Sequence, residues 1–149
     1  MYQHGQGVPQ DYVKAMDCYM KAAVQGRTAA QYNVGFLYHR GHGVPNDYSA
    51  AMEWYLKAAD KGHAGSFNNI GSLYDKGLGV PQSDSLAMKW YQKAADRGES
   101  GAQYNIGMMF ETGQGVPKDI AAAKEWYRKA ADQGLTDAKE KIEELERQG

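Results

Sequence analysis

Apolar residues recur at spacings of three and four along most of this chain, which is the spacing of one face of an α-helix. One such stretch runs from Ala15 through Met16 to Ala23, and another includes Val34 and Leu37. Both stretches return at intervals of 36 residues, with glycine- and proline-containing segments between them. The pattern predicts an all-α protein made of repeated helical pairs.

A Gly-x-Gly-Val-Pro segment opens each repeat. The four prolines, 36 residues apart, are Pro9, Pro45, Pro81 and Pro117. A fixed period of this length predicts stacked helical hairpins, each of which buries its apolar face only against a neighbour. We therefore predict a single repeat array over residues 1–149, with units at about 5–40, 41–76, 77–112 and 113–148. The prolines are all placed in loops, where a missing N–H does no harm.

Capping residues and glycines predict the helix boundaries. The first helix of each pair is expected to begin at a residue whose side chain caps the first turn, namely Asp11, Asp47, Ser83 and Asp119. It is expected to end at a left-handed glycine, namely Gly26, Gly62, Gly98 and Gly134. The second helix is expected to be capped by Thr28, Ser100 or Thr136, and Ala64 marks the one copy without a capping side chain.

Three glycines share one register in the middle of the second helices, at Gly35, Gly71 and Gly107. A glycine in a helix interior costs about 1 kcal/mol relative to alanine. Their repetition predicts that the neighbouring helix leaves no room for a side chain. The three tryptophans also share one position, and each is followed by tyrosine: Trp54-Tyr55, Trp90-Tyr91 and Trp126-Tyr127. We predict that these aromatic pairs pack against core alanines and do not form a ligand cage.

The two ends of the array differ in pattern. In the last helix Ile142 and Leu145 keep the apolar positions, whereas Glu143 and Glu146 replace the glycine and tyrosine of other copies. This change predicts a polar C-terminal cap. Because Tyr2 aligns with the end of a second helix, the chain is expected to begin within a repeat. We predict a homo-oligomer formed through this open N-terminal end.

Composition narrows the classes of function. A net charge of −1 argues against nucleic acid as a partner, because nucleic acid is usually bound by a basic face. The sequence has no apolar run long enough to span a membrane. Cys18 is the only cysteine, so no intramolecular disulfide can form, and we expect a cytoplasmic location.

No motif predicts catalysis, a cofactor or a metal. The Gly-x-Gly-Val-Pro segments lack the Lys-Ser/Thr of a phosphate-binding loop, and Cys18 has no histidine near it on its helix. His39 and His42 have the spacing of a metal-binding pair but lack the further ligands of a zinc site. We expect both histidines to be solvated. The protein is therefore predicted not to be an enzyme.

The repeated unit resembles the Sel-one-like repeat (SLR) family, which is related to the tetratricopeptide repeats. The resemblance rests on Tyr-Asn-x-Gly-x-x-Tyr-x-x-Gly-x-Gly-Val-Pro-x-Asp followed by Ala-x-x-Trp-Tyr-x-Lys-Ala-Ala-x-x-Gly, which recurs in register through nearly the whole chain. It implies a right-handed α-solenoid of antiparallel helix pairs with no catalytic activity. It also implies an adaptor role in assembling protein complexes. The paired cysteines of the cysteine-rich bacterial branch are absent here.

Similarity to tetratricopeptide arrays further implies that the second helix of each pair lines a concave groove. Gly35 aligns with the helix glycine of that family and so fixes the register. We refer to the implied partner-binding positions as the groove-face residues: Tyr32, Asn33, Phe36, His39, Asn68, Asn69, Ser72, Asp75, Tyr104, Asn105, Met108 and Glu111.

Asparagine recurs at one groove position, at Asn33, Asn69 and Asn105, while the residues around it differ between copies. An amide can donate to and accept from an extended peptide backbone. Alternatively, each amide binds a backbone carbonyl of its own helical pair, and both interpretations stay open. We predict a scaffold or adaptor that binds a peptide or protein surface in the groove. The second hypothesis is a structural spacer or oligomerisation segment of a larger protein.

Overall fold

The computed structural model describes the backbone of residues 7–148 and the side chains of residues 11–148. All regular secondary structure in this range is helical: α1 (Gly7–Val24), α2 (Thr28–Arg40), α3 (Tyr48–Ala59), α4 (Ala64–Lys76), α5 (Asp84–Asp96), α6 (Ser100–Thr112), α7 (Ile120–Asp132) and α8 (Thr136–Gln148). Each helix packs mainly against the helices before and after it in the chain. This nearest-neighbour packing is that of an α-solenoid, as the 36-residue period predicts.

The predicted caps of α3, α5 and α7 are confirmed. The backbone N–H three residues further on donates to the side chain of Asp47 at 3.0 Å, of Ser83 at 3.2 Å and of Asp119 at 3.0 Å. The glycines that follow the first helices, Gly26, Gly62, Gly98 and Gly134, all have a positive φ, as predicted. These boundaries agree because both kinds of cap depend only on residues close in sequence.

The first copy departs from the prediction. Helix α1 begins at Gly7, so Pro9 lies in the first helical turn and Asp11 lies inside the helix instead of capping it. Proline fits a first turn because its missing N–H would have no helical partner there. In the second copy the N–H of Asp47 donates to the carbonyl of Tyr38 at 3.0 Å, which fixes the loop on the preceding helix. The equivalent part of the first copy lies outside the described residues.

The second helices begin at Thr28, Ala64, Ser100 and Thr136, so the residues predicted as caps are already helical and the predicted caps are wrong by one position. The N-caps of α2, α4 and α6 are Arg27, His63 and Glu99, and Thr28 and Ser100 are already helical. Arg27 and Glu99 form no side-chain cap bond, whereas Nδ1 of His63 accepts the N–H of Ser66 at 3.1 Å. The copy predicted to lack a capping side chain therefore has one, supplied by a histidine.

The prediction for the mid-helix glycines is confirmed, and the obstructing group is a tyrosine ring. A Cβ at Gly35, Gly71 or Gly107 would lie 2.8, 2.6 or 2.7 Å from a ring carbon of Tyr55, Tyr91 or Tyr127. These tyrosines are at most 2% exposed. The helices α2, α4 and α6 therefore pack their glycines directly onto the aromatic ring of the following helix.

The tryptophans lie at the edge of the core, each beneath a lysine. The lysine Nζ to ring centroid distances are 5.5 Å for Lys57 and Trp54, 4.6 Å for Lys93 and Trp90, and 4.0 Å for Lys129 and Trp126. Such contacts keep the apolar lysine stem on the protein while its ammonium stays in water. The aromatic pairs are therefore part of the scaffold, with tyrosine inside and tryptophan at the rim.

Candidate functional site

The groove-face residues lie on three of the second helices, four each on α2, α4 and α6. All of them are half-buried. Each side chain therefore contacts the scaffold while part of its surface remains accessible. Their hydrogen bonds separate scaffold positions from positions that can take a ligand.

Asparagine side chains connect successive second helices. Nδ2 of Asn69 donates to the Tyr32 hydroxyl at 3.1 Å, and Nδ2 of Asn105 donates to Oδ1 of Asn68 at 3.0 Å. Both bonds join residues 37 apart, so α2, α4 and α6 lie side by side. For Asn69 and Asn105 the interpretation in which each amide binds a backbone carbonyl of its own pair is wrong, because the partner is a side chain one repeat earlier.

Two glycines lie beside these bridges. A Cβ at Gly65 would lie 3.6 Å from the Tyr32 ring, and a Cβ at Gly101 would lie 3.2 Å from Nδ2 of Asn68. The side chain of one helix thus passes close to the start of the next second helix. The bridges thus belong to a close contact between repeats.

The last groove-face position of each helix binds a buried tyrosine. The Tyr55 hydroxyl lies 3.0 Å from Nδ1 of His39, and the Tyr91 and Tyr127 hydroxyls donate to Asp75 at 3.4 Å and to Glu111 at 2.6 Å. Burial raises the pKa of all three tyrosines, so their hydroxyls stay protonated near neutral pH. Sequence reasoning missed these pairs, although a polar residue at one register in three copies was a usable signal.

Aromatic and imidazole rings cluster at the α2 end of this face. The Tyr32 ring centroid lies 4.7 Å from that of His63 and 6.3 Å from that of Phe36. The Arg40 guanidinium lies 5.3 Å from the Phe36 centroid. Burial lowers the pKa of His63, which favours the neutral ring that its capping bond requires. His63 was not predicted as a site residue because it lies in a turn and not on a second helix.

A cavity of about 230 Å³ opens between α4 and α6. Its lining consists of Ser72, Asp75, Lys76, Tyr91, Asn105, Met108, Met109 and Gln114. Four of these are groove-face residues, which the structure thus brings together around one depression. The lining combines two amides and a carboxylate with two thioether groups.

Carboxylates border the opposite end. A cleft of about 430 Å³ is lined by Tyr104, Asp137, Glu140, Lys141, Glu143, Glu144 and Arg147. Nζ of Lys141 lies 3.3 Å from Oε1 of Glu111, which links α8 to α6. Tyr104 is the groove-face residue in this lining. The face therefore runs from an aromatic and imidazole end at α2 to a charged end at α8.

The prediction that His39 and His42 form a solvated pair is wrong. His39 is half-buried against Tyr55, and the His42 ring stacks on Tyr12 with centroids 4.3 Å apart. Within residues 11–148, no three His, Cys, Asp or Glu side chains are placed to hold a metal ion. None of the described helices is both long and apolar enough to cross a lipid bilayer.

Comparison with known proteins identifies the repeat. The family profile described as Sel1 repeat matches residues 1–26, 28–63, 68–99 and 100–135. One similar solved structure is c5321, a protective antigen present in uropathogenic Escherichia coli strains that displays an SLR fold. Its sequence is 41% identical to this chain and its TM-score is 0.78, and the match covers 83% of this chain and 26% of that chain. A Sel1 repeat protein from Oxalobacter formigenes is 38% identical with a TM-score of 0.80, covering 89% of this chain and 53% of that chain.

A more distant structure shares the fold. Cysteine rich protein B of Helicobacter pylori is 22% identical with a TM-score of 0.67, covering 90% of this chain and 96% of that chain. No curated protein sequence matches the chain. The chain spans about a quarter of the Escherichia coli antigen and about half of the Oxalobacter formigenes protein.

Proposed function

Because the chain belongs to the Sel1 repeat family, whose members are generally protein-interaction scaffolds and typically non-catalytic, we propose that it acts as an adaptor that binds an extended peptide segment of a partner protein. The proposed binding surface is formed by the groove-face residues. The observation that carries the proposal is the row of asparagine bridges, since these bridges align polar side chains of three helices along one face.

The asparagines are suited to a peptide backbone. Within residues 11–148, Oδ1 of Asn69 and Oδ1 of Asn105 take part in no hydrogen bond, while Nδ2 of each amide is fixed by its bridge. A positioned acceptor of this kind can receive a backbone N–H of the ligand at little cost in side-chain entropy. Two such acceptors one repeat apart would hold an extended segment along the face.

Apolar anchors flank the asparagines. Tyr32 and Phe36 lie at one end, Tyr104 and Met108 lie towards the other, and all four are half-buried. Aromatic residues and methionine are enriched in the contact regions of protein interfaces. The 230 Å³ cavity beside Met108 would receive one side chain of the ligand between these anchors. Specificity would then come from the anchors and affinity from backbone contacts.

The proposal is tested by partner capture from a cell lysate with the combined variant Asn33→Ala/Asn69→Ala/Asn105→Ala. We expect partners of the wild-type protein to be lost. The matched control is Glu53→Ala/Lys89→Ala/Glu125→Ala, three exposed residues 36 apart on α3, α5 and α7 outside the groove face, and it is expected to retain the partners. Both variants are compared at equal helicity by circular dichroism. Partners retained by the triple variant would contradict binding on this face.

The alternative function, an oligomerisation or spacer segment, is favoured by one observation at α1. Val24 and Val13 are 70% and 54% exposed there, so both apolar side chains are accessible to a second copy. If copies associate through this end, the mass measured by light scattering rises with concentration and Val24→Lys abolishes the rise. A wild-type protein that stays monomeric at high concentration would contradict self-association.

A further inference from the structure

A separate cleft of about 540 Å³ lies where α3, α4 and α5 meet. Its lining residues are Leu56, Lys57, Ala59, Asp60, Phe67, Trp90 and Lys93, and none of them is a groove-face residue. The floor consists of Phe67 and Trp90, whose ring centroids are 5.8 Å apart at an interplanar angle of 38°. Leu56, which is 41% exposed, adds an apolar edge. The cleft is therefore an aromatic depression outside the proposed groove.

The other copies do not repeat this apolar surface. Phe67 stands where Gln31 and Gln103 stand in neighbouring repeats. Leu56 stands where Met20 precedes it and where Gln92 and Arg128 follow, so no other copy has an apolar residue at both positions. At the first of these positions Oε1 of Gln103 accepts from Nε2 of Gln133 at 2.9 Å, so the scaffold packs a polar residue there. The fold itself does not require the apolar residues of this cleft. Phe67 is buried in the core, whereas Leu56 and Trp90 keep accessible apolar surface that a partner can contact.

Cations surround the aromatic floor. Nζ of Lys93 lies 4.6 Å from the Trp90 centroid, and the Arg97 guanidinium lies 5.4 Å from the Phe67 centroid. Arg97 also donates to the carbonyl of Gly62. Lys57, Lys93 and Arg97 form no salt bridge with any residue in the range 11–148. Asp60 is the carboxylate in the lining, so the three cations leave the rim with a positive excess.

We propose that this cleft binds a partner segment in which an apolar side chain is flanked by glutamates or aspartates. The apolar side chain would lie over Trp90 and against Leu56, with Phe67 beneath, and would remove their exposed apolar surface from water. The flanking carboxylates would pair with Lys57 and Lys93, and the positive rim would repel basic segments. Because this site and the groove share no residues, one repeat array would hold two partners at once. The arrangement would make the protein a bridge between them.

The first test compares short acetylated and amidated peptides with the same leucine-phenylalanine centre and different flanks. Fluorescence anisotropy is measured with the whole chain and labelled peptides flanked by glutamates, glutamines or lysines. We expect the glutamate peptide to bind about tenfold more tightly than the glutamine peptide, and the lysine peptide to bind most weakly. Equal binding of all three peptides, or no binding of the glutamate peptide, overturns the proposal.

The second test assigns binding to the cleft. Phe67→Gln and Leu56→Gln introduce residues that other copies hold, and Lys93→Gln removes one rim charge; each is expected to weaken the glutamate peptide about tenfold. Lys129→Gln, at the equivalent position two helices later, and Asn69→Ala are expected to leave its affinity unchanged. If Phe67→Gln lowers the melting temperature, the test relies on Leu56→Gln and Lys93→Gln, because both side chains are exposed and their substitution is not expected to disturb the core. Wild-type affinity in these two variants overturns the assignment.

Discussion

A glycine facing a tyrosine ring sets the distance between neighbouring helices at three places in the array. A Cβ at Gly71 would lie 2.6 Å from the Tyr91 ring and 3.2 Å from the Ala87 carbonyl oxygen. The ring is buried and the carbonyl belongs to the helix backbone, so neither moves cheaply. The local arrangement therefore tolerates no larger residue than glycine.

Gly71→Ala is expected to destabilise the protein by about 1–2 kcal/mol, because overpacking outweighs the roughly 1 kcal/mol gained in helix propensity. Urea denaturation followed by circular dichroism measures the change. Gly101→Ala is the control, since its Cβ would meet the flexible Asn68 side chain at 3.2 Å. We expect the free energy of unfolding to change little in the control. Equal effects of both substitutions would mean that the tyrosine contact does not decide the outcome.

Gln31 presents the opposite case, a polar group that packing leaves without a partner. Its Nε2 donates to the Ala23 carbonyl at 3.3 Å, but its Oε1 is buried without a hydrogen bond. A buried acceptor without a partner costs about 1–3 kcal/mol. Gln31→Met is therefore expected to raise the free energy of unfolding by about 1 kcal/mol. Gln103→Met, which loses the hydrogen bond from Gln133, should lower the free energy of unfolding. A change in the same direction for both variants would contradict this account.

At the scale of helices, two serines that the sequence predicted to be N-caps differ in role. Ser83 caps α5 by accepting the N–H of Leu86 at 3.2 Å, whereas Ser100 is the first helical residue of α6. We expect Ser83→Ala to cost about 1 kcal/mol and Ser100→Ala to cost at most a few tenths. Thermal unfolding of the two variants measures the difference. Equal losses of stability in the two variants would mean that Ser100 caps α6, as the sequence predicted.

His63 makes the start of α4 sensitive to pH. Burial lowers its pKa below the ordinary value of about 6.5, so the unfolded chain binds the proton more readily than the folded chain. The stability that this group contributes is complete above about pH 6.5 and decreases as the pH falls through the folded-state pKa. Protonation also removes the acceptor for the Ser66 N–H and places a positive charge at a helix N-terminus.

We therefore expect the melting temperature to fall between pH 7 and pH 5, and His63→Asn to reduce this fall because asparagine retains a capping oxygen. Burial lowers the pKa of His39 as well, so part of the pH dependence is expected to remain in the variant. Differential scanning calorimetry at several pH values measures both effects. An unchanged pH profile in His63→Asn would contradict the role assigned to the histidine cap.

At the scale of the whole molecule, packing between neighbouring helices should confine the effect of a substitution. Leu145 of α8 is 3% exposed, while Glu143 and Glu146 beside it are exposed. Leu145→Ala is expected to cost about 2–5 kcal/mol locally and to increase hydrogen exchange in α7 and α8. Amides of α4 should keep more of their protection, because α8 contacts the centre only through intervening helices. Equal loss of protection along the chain would indicate global two-state unfolding.

The sequence alone determined the features that depend on near neighbours along the chain. The 36-residue period predicted the helical pairs, and Asp47, Ser83 and Asp119 predicted the starts of three helices. The common register of Gly35 with its two copies predicted a close approach between helices. These predictions succeeded because capping, left-handed glycines and helical periodicity act within a few residues.

Only the tertiary structure decided which side chains meet. The Asn69–Tyr32 bridge spans 37 residues and the Tyr55–His39 contact spans 16, so neither partner was evident from local pattern. The aromatic cleft around Phe67 likewise joins three helices. The physical reason is that helix propensity fixes where a helix lies along the chain, whereas side-chain partners depend on the rotation and spacing of stacked repeats. That geometry is set by the packing of all neighbouring side chains together.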